Sequence, residues 1–98
     1  NKKGRYMEEK YLPPIADRKE TLFTQIEECK RIIYRNLLEN ILFVANGEKA
    51  KQKEVEYNNG QVKDKIDALT KEWEKLFPDE TLEQYEAWRR AAISRPTV

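Results

Sequence analysis

Three groups of residues in this chain have types and spacings that could support chemistry or binding. The first is the carboxylate pairs Glu8-Glu9, Glu27-Glu28 and Asp79-Glu80. Paired carboxylates can act as acid and base, but these stand beside Lys or Arg or at a predicted helix start. Solvation or helix capping accounts for them there. The second is Cys29, which falls on an apolar helical stripe and reads as a small core hydrophobe. A reactive thiol needs a basic neighbour and access, and Lys30 and Arg31 point elsewhere on a helix. The third is Tyr85, Trp88, Arg89 and Arg90 near the C-terminus. Tyr, Trp and Arg are the types most enriched at binding hot spots, so these four are the first candidate partner-binding site.

The missing chemistry is as informative. There is no histidine, hence neither the commonest general base nor the commonest transition-metal ligand. One cysteine cannot build a structural zinc site, and three isolated glycines make no phosphate cradle. No catalytic residue, metal or cofactor is expected. Basic residues cluster at Lys2-Lys3-Arg5, Lys49/Lys51/Lys53, Lys63/Lys65 and Arg89-Arg90, and acidic residues interrupt or flank all but the first. With 19 basic and 18 acidic residues the charges nearly cancel. There is no global field to draw in nucleic acid and little counterion release to hold it.

These residues need elements to position them, and the hydrophobic periodicity supplies helices. Residues 1–14, ending in Pro13-Pro14, read as an N-terminal arm. A long helix is predicted over about 17–46, started by a capping-box-like Asp17/Glu20 and stopped by Gly47 at C′. Leu22, Ile26, Cys29, Ile33, Leu37, Ile41 and Val44 form its stripe, and Glu27 and Arg31 suit an i,i+4 ion pair. Residues 48–60 read as a loop or weak helix, with a small hairpin at Asn59-Gly60 as the alternative. A second helix is predicted over about 61–77, ended by Pro78, and a third over about 80–94, capped by Thr81 with Gln84. The expected fold is all-α: a small antiparallel bundle of three to four helices with a long first helix, in a single domain over 15–96.

The run Ile41-Leu42-Phe43-Val44-Ala45 is apolar on every side of its predicted helix, which predicts burial on all sides. It is the expected hub of a core made from Ile33, Leu37, Ile41, Val44, Ile66, Leu69, Trp73, Leu82, Tyr85 and Trp88. If Leu42 or Phe43 is exposed instead, the run becomes an alternative binding or dimer surface.

The 98 residues suit one domain. With 38% charged and 39% apolar residues, the chain is too apolar for general disorder and too charged for a membrane protein. A chain beginning at Asn1 is expected to be a domain or processed product of a larger protein. The lone cysteine suits a reducing intracellular setting, cytoplasm or nucleus. The expected function is protein–protein interaction without catalysis, with a partner helix or peptide held by the bundle. Two alternatives stay open. One is nucleic-acid binding through the basic arm and Arg89/Arg90. The other is homodimerisation.

Overall fold

A computed structural model describes the backbone of residues 9–94. Within it the chain is all-helical. A short 3-10 turn, Glu9–Tyr11, precedes three α-helices: α1 (Ile15–Ala45), α2 (Lys49–Leu76) and α3 (Leu82–Ser94). Lys2, Lys3, Arg5, Arg95 and Pro96 lie outside the described residues.

α1 begins two residues before the expected Asp17. Pro14 is its N-cap, and no side chain caps the helix there. The Asp17/Glu20 capping box is therefore corrected: Glu20 turns to another helix instead. The chain before α1 is held by Arg18, whose Nε donates to the Pro13 carbonyl at 2.7 Å and whose Nη2 meets Glu9 at 3.2 Å. The expected Glu27–Arg31 pair is also replaced. Glu27 takes Lys30 and Glu28 takes Arg31, both one turn apart.

The end of α1 follows the sequence. Gly47 has φ +68°, its N–H donates to the Val44 carbonyl at 3.1 Å, and the Glu48 N–H donates to the Phe43 carbonyl at 2.9 Å. This is the Schellman arrangement, which needs a left-handed residue at C′. The chain reverses within these residues and enters α2 directly.

Residues 49–60 are helix, not loop or hairpin, and Asn59-Gly60 lies inside α2. The weak-helix reading holds over the loop and the alternative hairpin because this stretch has a partner. Val55 and Asn59 are buried, and the Asn36 amide donates to Asn59 Oδ1 at 2.9 Å. Gln52 reaches back to the Phe43 carbonyl. The two long helices pack along each other. Late residues of α1 face early residues of α2, and Lys19 near the start of α1 meets Glu80 beyond the end of α2.

α2 stops at Leu76, and Phe77 leaves the helical region at φ −130°, ψ 64° ahead of Pro78. α3 opens with the expected box: the Thr81 N–H donates to Gln84 Oε1 at 2.8 Å, and the Gln84 N–H to Thr81 Oγ1 at 3.1 Å.

The core lies at the end of the helix pair away from the α1–α2 turn. Phe23, Trp73 and Tyr85 form its centre, flanked by Leu22, Phe77 and Leu82. Ile26 and Cys29 extend it along α1 and are almost fully buried. The Trp73 indole N–H donates to the Glu80 carbonyl at 2.7 Å, so the largest core side chain also fixes the link into α3.

The hub placed at Ile41–Ala45 is overturned. Ile41 is 61% exposed, Leu42 63% and Val44 56%. Phe43 alone is half-buried. Leu37 and Trp88, also expected in the core, are exposed, while Ile33, Ile66, Leu69 and Leu82 are half-buried. The reason is reach. α3 has 13 residues against 31 in α1, about 20 Å against about 45 Å. It docks at the far end from the turn, so the Ile41–Ala45 run is covered by α2 alone.

Asn40 is one polar cost in the helix pair, since its Oδ1 is buried and accepts no hydrogen bond. Asn40→Leu is expected to raise the unfolding free energy by about 1 kcal/mol. Ile26→Ala should lower it by about 3 kcal/mol, whereas Ile41→Ala should change it by less than about 0.5 kcal/mol. Urea unfolding followed by far-ultraviolet circular dichroism compares all three. A large loss for Ile41→Ala would restore the buried hub.

Candidate functional site

The four α3 residues singled out above have separate fates. Tyr85 faces inward. Its ring lies 5.2 Å from Phe23, edge-on, and 5.3 Å from Trp73. Its hydroxyl donates to Glu20 Oε1 on α1. Arg89 forks onto the same carboxylate, with Nε at 3.1 Å from both oxygens and Nη2 at 2.8 Å from Oε2. Its guanidinium also sits 5.2 Å from the centre of the Phe23 ring. Arg90 pairs one turn back with Glu86 at 2.7 Å. Tyr85 and Arg89 thus hold α3 to α1.

Only Trp88 of the four presents a large apolar surface, at 62% exposure. Its ring leans on Tyr85 at 5.6 Å. With Ile15, Ala16, Lys19, Glu80 and Tyr85 it borders an open hollow of about 450 Å³. Lys19 crosses the floor of this region. It pairs with Glu80, and its Nζ lies 4.9 Å from the Phe77 ring centre, 5.7 Å from Tyr85 and 6.0 Å from Trp73. The hollow's one cation is therefore already engaged by a carboxylate and three rings.

The electrostatics follow from these contacts. The hydrogen bonds from Arg89 and then Tyr85 hold the Glu20 carboxyl below the usual carboxylate range, against a smaller opposing effect of burial. The Tyr85 phenol is pushed up to about 12, first by burial and then by donating to Glu20. The Arg89 guanidinium is raised by the same carboxylate.

A second surface lies on the distal half of α1. Tyr34, Leu37, Leu38, Ile41, Leu42 and Val44 are all exposed large apolar side chains, at 46–63%. Scattered apolar residues on a surface are ordinary, but six on one helical stretch are not. Tyr34, Leu37, Ile41 and Val44 follow the 3-4-3 spacing of a single seam. The seam runs in line with Phe23, the α1 residue that α3 covers further down. Leu42 flanks the seam. Phe43 does not join it, because it turns toward α2 and carries Lys51 over its ring at 5.3 Å. Arg31 and Arg35 stand on the solvent side beside Tyr34, both paired with Glu28.

Lys49, Lys51 and Lys53 do not lie on one stripe. They alternate in sequence, and on a helix that alternation sends Lys51 to another side from Lys49 and Lys53. Lys51 is paired with Glu48. Among the described residues no group of three or more His, Cys, Asp or Glu is placed to hold a metal ion. Cys29 is a free, buried thiol. Among the same residues no helix is long and apolar enough to cross a membrane. Compared with family models, curated proteins and solved structures, the chain matches none.

Both ends of the pH scale should loosen α3. With the folded pKa of Glu20 depressed, its contribution is whole above the ordinary carboxylate pKa and drains away as pH falls toward the folded value. With the folded pKa of Tyr85 raised, its contribution is whole below about 10 and is lost as pH climbs to about 12. Thermal melts across pH should show both losses. Glu20→Gln should flatten the acid limb, and Tyr85→Phe should remove the alkaline limb together with one late phenolate step in near-ultraviolet absorbance. Unchanged limbs in both variants would refute the coupling.

Proposed function

We propose that this chain is a non-enzymatic protein–protein interaction module. In this reading α1 and α2 form an antiparallel hairpin that α3 braces at one end, and the distal face of α1 receives a helix from a partner. The observation that carries it is the run of large apolar side chains from Tyr34 to Val44, left open at helical spacing. A face of this kind gains free energy only when something covers it. The hollow beside Trp88 is the lesser surface, because only two exposed apolar side chains, Ile15 and Trp88, border it.

The absence of catalysis is part of the same reading. Glu20, Glu80 and Glu86 are each tied to a cation that completes a structural contact. The buried thiol of Cys29 has only apolar work to do.

The test is affinity capture with the folded chain, run beside Leu37→Glu/Ile41→Glu and Trp88→Ala. Both altered sites are exposed, so helical circular dichroism should hold in each. The α1 variant should lose its captured partner by at least about 10-fold, roughly the effect of placing charge in a small apolar interface. Trp88→Ala should retain it. Loss confined to Trp88→Ala would move the site to α3, and equal capture by all three proteins would sink the docking reading.

A further inference from the structure

We propose that the occupant of the distal α1 face is a second copy of this chain, the two α1 helices lying antiparallel along Tyr34, Leu37, Ile41 and Val44. This rests on reading that face as a docking surface.

The seam favours a helix of its own kind. Tyr34, Leu37, Ile41 and Val44 recur at alternating spacings of three and four, the repeat that keeps two packed helices in register. In an antiparallel pair centred near Glu39, Leu37 of each copy meets Ile41 of the other, and Tyr34 meets Val44. Every apolar position then has an apolar partner from the same set, as a two-fold interface requires. Leu38 and Leu42 flank the seam and are also open.

Charge selects the orientation. Near the start of the seam stand Lys30, Arg31 and Arg35, 60–69% exposed and each paired with Glu27 or Glu28 on its own helix. Its other end is the C-terminus of α1, which has no basic residue in its last turn; the Glu48 that follows is already paired with Lys51. A helix C-terminus carries partial negative charge and favours a nearby cation. Antiparallel pairing brings Lys30 and Arg31 of each copy beside the last turn of α1 of the other. Parallel pairing would instead set the two α1 C-termini, both partially negative, side by side.

The area is adequate for a modest dimer. Six large side chains about half exposed offer roughly 600 Å² per copy, so a pair would bury about 1,200 Å², the lower bound for a specific interface. The dissociation constant should accordingly lie in the micromolar range.

Sedimentation of the full chain from about 1 µM to about 1 mM tests the pairing. A monomer–dimer equilibrium that Ile41→Glu weakens by at least about 100-fold, with helical circular dichroism unchanged, is the expected result. Orientation is read by a spin label at Lys30→Cys in a Cys29→Ala background. Labels in an antiparallel pair would be roughly 30 Å apart, and in a parallel pair about 10 Å. A short distance, or a dimer that survives Ile41→Glu, overturns the proposed arrangement. A chain that stays monomeric overturns self-pairing. In that case Ile41-sensitive capture of another protein would leave the docking reading standing, and its absence would remove both.

Discussion

Everything in this structure depends on how the open end of the α1–α2 pair is closed. Two long helices joined by a tight turn bury only the strip where they touch. Here Phe23 and Trp73 leave apolar surface beyond that strip, and Tyr85 from α3 completes it. Polar contacts fix the angle of approach. Glu20 accepts from Tyr85 and Arg89, Lys19 pairs with Glu80, and the Trp73 indole holds the Glu80 carbonyl. Adjacent residues of α1, Lys19 and Glu20, thus grip the two ends of the segment that carries α3. Because the grip sits in the first turns of α1, α3 is spent where the chain begins. Among the described residues no third helix reaches the turn end.

That placement produces a molecule with unequal halves. The closed half has aromatic packing, buried Ile26 and Cys29, and hydrogen bonds between distant parts of the chain. The turn half has a two-helix seam with Val55 and the Asn36–Asn59 pair. An amide pair inside such a seam contributes little net stability. It does oppose sliding, because a shift of one helical turn would leave the buried Asn59 amide without its partner. Uniqueness of register in the turn half thus comes from polar matching, whereas in the closed half it comes from shape.

Much of this was legible in the sequence, for local reasons. Gly47 was readable as the stop of α1 because a left-handed C′ residue is a backbone demand. Pro78 and the Thr81/Gln84 box were readable on the same ground. The stripe from Leu22 to Val44 identified a helix correctly. It could not say which part of the stripe would be covered, since that depends on the length and docking point of a helix encoded some forty residues later. The Ile41–Ala45 run therefore looked like a hub and is a surface. The first half of α2 reads only as loop or weak helix, because its inward positions include Gln52 and Asn59, whose partners Phe43 and Asn36 lie across the pair. Tyr85 and Arg89 showed their chemistry as binding types. Only the fold reveals that Glu20 already takes both.

The buried position of Cys29 gives this chain a built-in clock. It is the only cysteine, it lies 2% exposed in the closed half, and a thiol reacts only when a reagent can reach it. Its alkylation rate therefore counts how often the helices part at that level. Partial opening at the turn need not expose it, whereas release of the α3 end would uncover the layer on which it rests. One unmodified side chain thus times the separation of two halves that equilibrium melting would average together.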